Sequence, residues 1–237
     1  MYEKTYTVRY SEVTDKAVSS LSALVSYFQD TTMFHSDTVG QGIHDLMEQH
    51  MAWLLASWRI QIHRYPRYAE MVTARTWATK FAGVYGYRDF SLTDKQGNTI
   101  AVASSIWIQY DAGAKKMKRV TQEIADVYGA EGNFVFPDGD EGRIRAPKEY
   151  TDVGSVVVKR RDLDTNNHVN NIHYIDYALD ALPADLVVRE LRISYKKAAV
   201  LGDTIYIGLH TEGDTHTCVL HDGAGGIFAV LQFHERQ

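Results

Sequence analysis

The chain repeats itself. Moved by 150 positions, Val8 to Asp30 (VRYSEVTDKAVSSLSALVSYFQD) lies on Val158 to Asp180 (VKRRDLDTNNHVNNIHYIDYALD) without a gap, with Val8 on Val158, Glu12 on Asp162, Tyr27 on Tyr177 and Asp30 on Asp180. Identities are few; the repeat rests on the order of apolar and polar positions. A second fixed shift, of 133, then lays RIQIHRYPRYAEMV from Arg59 on RISYKKAAVLGDTI from Arg192. Two copies of one pattern ask for two copies of one folding unit. A chain of 237 residues has room for two domains of about 110 to 120 residues, each able to bury its own core.

The pattern within a copy predicts an α+β unit. From Tyr6 the run YTVRYSEV alternates as a strand does, and Leu21, Leu24, Val25 and Phe28 then form one helical face that Gly40 and Gly42 end. A second helical stretch is read over roughly Ile43 to Leu55, followed by the alternating SWRIQIHRYP. VTARTWATKF, VYGYRDFSLTD and TIAVASSIWIQYD continue as an antiparallel meander, with hairpin chemistry at Asp94 to Asn98. After a stretch rich in Gly, Pro and charge, the same order returns: strand, helix NNIHYIDYALDAL, then four strands. The predicted organisation is a unit over 1–128, a linker over 129–150 and a second unit over 151–237.

Several function classes fall away. Net charge of −5 supplies no broad basic field for nucleic acid. The opening MYEKTYTVRY has no apolar signal core and no run of eighteen apolar residues occurs, so a cytoplasmic protein without a membrane span is expected. The single Cys218 lies in the strand-like THTCVLH and reads as a half-buried strand residue rather than a nucleophile. His168 and His173 stand five apart, and His210, His216, His221 and His234 fall on separate segments, so no metal site is predicted. There is no GxSxG elbow around Ser104 and Ser105, and DGAGG (Asp222 to Gly226) suits a hairpin turn rather than a nucleotide loop.

Chemistry concentrates in the second copy. Ile172, Ile175, Leu179 and Leu182 make a helical stripe that Pro183 should end. Before it, Asp164, Asn166 and His168 alternate in an extended or loop segment, so their side chains should point one way, with Asn170 or Asn171 as helix N-cap. A carboxylate, an amide and an imidazole beside free backbone N–H groups suit attack on a carbonyl and stabilisation of the oxyanion. In the first copy these positions are Thr14, Lys16 and Val18. Only the second copy can be catalytic by this route.

The strings DLDTNNHVNNIHYIDY and ELRISYKK (from Glu190), with RYPRYAEMVTARTW (Arg64 to Trp77) and ASSIWIQY (Ala103 to Tyr110), closely resemble the acyl-acyl carrier protein thioesterases, the plant FatA/FatB type and its bacterial relatives. The resemblance implies a tandem hotdog fold, each unit a long central helix wrapped by a curled antiparallel sheet. It implies hydrolysis of fatty acyl-acyl carrier protein to free acid in fatty acid biosynthesis, with neither metal nor cofactor. Catalysis is then ascribed to Asp164, Asn166 and His168. His168 would move protons, Asn166 would orient by hydrogen bonds, and Asp164 would orient His168, act as base, or attack the thioester itself. Asn170, Asn171 and Tyr174 would support the helix start and its packing.

The chain departs from the plant pattern in one place. Where that pattern has an acidic residue and a cysteine after a tyrosine and two basic residues, this sequence has Ala198 and Ala199 after Tyr195, Lys196 and Lys197. Either the missing group is dispensable or another, such as Glu190, replaces it. The first copy would hold the acyl chain, with Trp53, Leu54, Trp58 and Trp107 as candidate lining. Three basic clusters, at Lys115 to Arg119, Lys159 to Arg161 and Lys196 with Lys197, would receive the acidic carrier protein. Rival readings are a hotdog acyl-CoA thioesterase and a non-catalytic acyl-binding protein. Monomer and homodimer both remain open.

Overall fold

The computed structural model describes residues 1–138 and 142–235. Residues 139–141 of the expected linker and 236–237 of the expected second unit lie outside the described residues. The chain divides into two compact units, Met1–Ala56 with Ile60–Glu141, and Ser57–Arg59 with Gly142–Gln237.

The first unit contains β1 (Tyr2–Thr7), α1 (Leu21–Thr38), α2 (Ile43–Glu48), β2 (Met51–Ile62, apart from Ser57–Arg59), β3 (Met71–Ala82), β4 (Tyr85–Asp94), β5 (Thr99–Asp111), the short β6 (Lys116–Met117) and α3 (Gln122–Tyr128). Its strands run in the order β1-β3-β4-β5-β2, with β6 on β5. Helix α1 begins where Ser20 Oγ accepts Ala23 N at 3.1 Å. It packs on β1 and β3, burying Leu21, Leu24, Val25, Phe28, Thr31 and Thr32; Phe28 meets Phe90 with ring centroids 5.2 Å apart. The second unit contains β7 (Thr151–Val157), α4 (His173–Leu179), β8 (Val188–Tyr195), β9 (Thr204–Glu212), β10 (Thr215–His221) and β11 (Ile227–Glu235), with strand order β8-β11-β10-β9-β7. Helix α4 packs on β10 and β11 around the fully buried Ile175 and Ala178. The α+β, double hotdog architecture expected from the sequence is the one the chain adopts.

The two sequence shifts reappear hydrogen bond by hydrogen bond. Thr7 opposes Met71 on β1–β3, and Val157, 150 positions on, opposes Thr204, 133 positions on. Val8 N donates to Glu70 O and Val158 N to Asp203 O, each at 2.9 Å. Ser20 N reaches Glu12 O at 2.7 Å, and Asn170 N reaches Asp162 O at 2.8 Å. Ser19 N bonds to Pro66 O at 2.8 Å, Val169 N to Ala199 O at 2.9 Å. Even the left-handed residue recurs, Ala17 at φ 55 and Asn167 at φ 59; Asn tolerates that conformation better than Ala.

Two expectations are corrected. The helical stretch read from Ile43 to Leu55 ends at Glu48, and Met51 already belongs to β2. An apolar run such as MAWLLASW fits either period, and the left-handed His50 (φ 54) stops the helix before it. In the second unit the central helix is one of 7 residues, against 18 in α1. It starts late because the Asn170 carbonyl closes a tight turn on His173 N (2.9 Å). It stops early because the residue before Pro183 is driven from helical geometry; Ala181 N and Leu182 N bond only three residues back.

The core of the first unit holds a cation. Arg88, 6% exposed, donates from Nη1 to His35 Nδ1 at 2.7 Å and to Thr76 Oγ1 at 3.2 Å, and its guanidinium lies 5.2 Å from the Tyr128 ring centroid. Burial, with the Arg88 charge beside it, depresses His35 to about 4. A lowered folded value means that the unfolded chain takes up the proton first. Stability contributed by neutral His35 is therefore fully present above the ordinary histidine range and is lost as pH falls through the window from 6.5 toward 4. Denaturant titrations across that window should show a slope that His35→Gln lessens by up to about 1.4 kcal/mol per pH unit; an unchanged slope would contradict the assignment.

Candidate active site

The segment 164–168 is a closed turn. The expectation of an extended, alternating segment is corrected: Asp164 N donates to His168 O at 2.7 Å and Asn167 N to Asp164 O at 3.1 Å. Asp164 itself makes the turn, its Oδ1 accepting Asn166 N at 2.8 Å and His168 N at 3.2 Å. Asp164 and His168 thus face each other across the turn, both half-buried, with Asn166 exposed near its tip. A bridge to Val200 backs His168.

These hydrogen bonds leave the chemical groups unspent. Among the described residues, the Asp164 Oδ2 oxygen, the Asn166 side-chain amide and the His168 imidazole make no hydrogen bond. The first unit supplies the comparison. Its turn has the same backbone bonds, Thr14 N to Val18 O at 2.8 Å and Ala17 N to Thr14 O at 3.0 Å, and a hydroxyl takes the role of Asp164 Oδ1, Thr14 Oγ1 accepting Lys16 N at 3.3 Å. The turn therefore forms without a carboxylate, an amide or an imidazole. Those groups are additions to a loop that folds without them.

The helix start is occupied. Asn170 Oδ1 accepts Ile172 N at 3.1 Å and its carbonyl accepts His173 N at 2.9 Å, so Asn170 makes a turn ahead of the helix at the position of Ser20 in the other unit; the N-cap, expected at Asn170 or Asn171, is Ile172, which has no side-chain cap bond. These two N–H groups, expected to be free for an oxyanion, are taken by that turn. Asn171 accepts Tyr195 Oη on its carbonyl at 3.1 Å. Tyr174, 2% exposed, accepts Ala199 N at 3.0 Å; burial is the main cause of its rise to about 12. Tyr195 was not singled out from the sequence. The signal was available, since at the shift of 133 it puts a hydroxyl where the first copy has Ile62.

Glu190 stands elsewhere. Arg192 Nε donates to it at 2.6 Å, and Arg59 Nε lies 3.4 Å away. It sits five residues before Tyr195 on β8, roughly 16 Å of strand from the end that meets the turn. Ala198 is exposed and Ala199 buried. Trp58 is fully buried and Trp107 6% exposed; Trp107 Nε1 donates to Ser105 Oγ at 2.8 Å. Trp53 meets Phe81 and Tyr128, each at 6.4 Å. Leu54 points outward at 37% exposure. Lys159, Arg160, Lys196 and Lys197 are exposed on the segments that lead into the turn and into its bridge partner Val200.

Four further histidines have partners of their own, His216 in Thr211 (3.0 Å), His221 in Asp152 (2.9 Å) and Gly223 N (3.2 Å), His234 in Thr215 (3.0 Å) and Gln232 (3.1 Å), and His173 in Asp176 (3.3 Å). Among the described residues no group of three or more metal-binding side chains gathers, and no helix is long and apolar enough to cross a membrane.

Comparison with known proteins matches residues 1–128 to the acyl-ACP thioesterase N-terminal domain and residues 145–223 to the acyl-ACP thioesterase C-terminal domain. The chloroplastic oleoyl-acyl carrier protein thioesterase 2 of Arabidopsis thaliana is 26% identical over 210 residues, 81% of this chain and 57% of that protein. The chloroplastic palmitoyl-acyl carrier protein thioesterase of Cuphea hookeriana is 21% identical over 199 residues, 79% of this chain and 48% of that protein. The chain thus spans 57% to 64% of the length of three curated plant relatives it matches. Among solved structures, an acyl-ACP thioesterase from Bacteroides thetaiotaomicron superposes with a TM-score of 0.85 at 20% identity, covering 99% of this chain and 97% of that one. The 12:0-ACP thioesterase from Umbellularia californica gives 0.86 at 17% identity, covering 99% and 96%.

Cys218 is fully buried, its Sγ 3.8 Å from Ala178 O, and burial pushes its thiol up to about 12, so it is no nucleophile at neutral pH. Iodoacetamide at pH 8 should label under about a tenth of the folded protein in the time that labels the unfolded chain fully; rapid labelling of the folded form would restore Cys218 as a candidate.

Proposed function

Since the chain belongs to the acyl-ACP thioesterase family, we propose that it hydrolyses the thioester of a fatty acyl chain carried on acyl carrier protein, releasing the free acid with water as cosubstrate. The observation that carries this reading is the pair of turns. One plan is folded twice, and the second copy alone carries Asp164, Asn166 and His168 with Oδ2, amide and imidazole uncommitted. A binding module has no use for all three in one copy.

In the proposed reaction His168 takes a proton from water as its oxygen attacks the thioester carbon, and returns it to the sulfur as the carbon–sulfur bond breaks. The Asp164 charge across the turn stabilises the imidazolium formed between those steps. Asn166, unable to titrate, donates from its amide to the carbonyl oxygen as negative charge develops there. The second unit, from 151 onward, is thus the catalytic one. The first, over 1–128, holds the apolar chain, a reading supported by its Val18 in place of His168 and by the aromatic group of Trp53, Phe81 and Tyr128. Lys159, Arg160 and Lys196, exposed around the turn, suit an acidic carrier protein.

The test is turnover of saturated acyl chains from eight to eighteen carbons, each offered on acyl carrier protein and on CoA. Faster hydrolysis on the carrier protein is expected; preference for CoA would transfer the enzyme to the other carrier, and binding without turnover would leave a non-catalytic protein. Asp164→Asn separates fold from chemistry, because the amide oxygen can still accept both turn N–H groups. It should lower kcat/KM by at least about a hundredfold with the thermal midpoint nearly unchanged. Wild-type turnover in that variant or in His168→Ala would refute the site.

A further inference from the structure

Because the two units share one plan, a hydrogen bond made in one and chemically impossible in the other marks something the fold does not require. Ala199 N donates to Tyr174 Oη at 3.0 Å. By the two shifts, the corresponding residues of the first unit are Pro66 and Leu24. Proline has no N–H and leucine no oxygen, so neither partner exists there. A second added bond lies beside it: Tyr195 Oη donates to Asn171 O at 3.1 Å, where the first unit has Ile62 and Leu21. The rings of Tyr174 and Tyr195 meet edge to face with centroids 5.8 Å apart. The surrounding frame is common to both units. Val18 bridges Arg67 as His168 bridges Val200, and Pro66 O and Ala199 O each accept the N–H of the residue after the bridged one.

What the added bond touches indicates what it does. Ala199 precedes Val200, the bridge partner of His168, and its carbonyl holds Val169 N, the next residue after His168, at 2.9 Å. With its carbonyl held by Val169 and its N–H by Tyr174, Ala199 is fixed from both sides. The strand that backs His168 is then anchored to α4. In the first unit the equivalent strand, at Pro66, has the carbonyl bond alone. The plant pattern of an acidic residue and a cysteine ends here in two alanines, and one of them contributes through its backbone N–H. Tyr174 Oη, having accepted that bond, still has its own proton to donate, and the charge of Asp164 acts on it.

We infer that Tyr174 is a positioning residue for the thioester hydrolysis proposed above: through Ala199 it holds the backbone behind His168, with Tyr195 bracing it from β8. The inference rests on that functional reading.

A double-mutant cycle on the full chain with its best acyl-acyl carrier protein substrate tests it. Tyr174→Phe keeps the ring and removes the acceptor; Ala199→Pro installs the first unit's residue and removes the donor. Each should lower kcat about tenfold, the weight of one hydrogen bond, while KM stays within about twofold. The double variant should be no slower than the slower single, since both substitutions break the same bond. Packing alone would move the thermal midpoint and leave this split and this non-additivity absent. Wild-type kcat in Tyr174→Phe, or a double variant whose loss is the product of the two single losses, would overturn the inference. Should Ala199→Pro fail to fold, kcat of Tyr174→Phe decides, with Tyr195→Phe expected to show a smaller loss of the same kind. Absence of turnover by the wild type would overturn the functional reading and this inference with it; wild-type turnover with an undiminished Tyr174→Phe overturns this inference alone.

Discussion

Each unit hangs on one joint, an acidic residue gripped on both sides by backbone. Glu12 accepts Arg9 N at 2.8 Å and Asp162 accepts Lys159 N at 2.7 Å, while their own carbonyls receive Ser20 N and Asn170 N at the helix start. Strand, turn and helix thus meet at a single peptide unit. Asp162 is 6% exposed; burial works to raise its carboxyl, and the Lys159 N–H with neighbouring positive charge outweighs it, keeping the group ionised. Without the carboxylate a backbone donor would lose its partner and the turn would lose its fixed position against the helix. The candidate chemistry sits on that turn and inherits its placement from the joint.

Duplication makes function readable by subtraction. The first unit shows what the joint, the turn and the bridge need in order to fold, and Thr14, Lys16, Val18, Leu24 and Pro66 suffice. What the second unit adds at those places is polar and is grouped around one residue, His168. The addition has a cost in helix: α4 has 7 residues where α1 has 18. The Asn170 turn and Pro183 confine it, leaving one compact segment between the cap and the proline.

Much of this was legible in the sequence, and the exceptions share a cause. The shifts of 150 and 133 are legible because strand register is set by the alternation of apolar and polar residues, and that alternation survives when identities do not. The turn that Asn170 makes ahead of the helix and the loss of helical geometry before Pro183 follow from local chemistry. The form of the candidate turn did not, because Asp164, Asn166 and His168 alternate equally well in a strand. Backbone bonds between Asp164 and His168 and between Asn167 and Asp164 close it, and Asp164 Oδ1 adds two more from within the turn. The border between α2 and β2 was hidden in an apolar run with no periodicity, and Leu54 is exposed although its neighbour Leu55 is buried. Ala199 could not have been found from side-chain chemistry, since it acts through its backbone N–H.

The strands that end the two sheets carry a further consequence. At β1 the edge presents Glu3 and Lys4, with Arg75 reaching Glu3 at 2.8 Å, and at β7 the register slips between Asp152 and Gly154, just where Val153 is 49% exposed. Charge blunts one edge and a bulge twists the other. A plan that was copied once within a chain thus carries, at each of these edges, a device that disfavours the addition of a further strand from another chain.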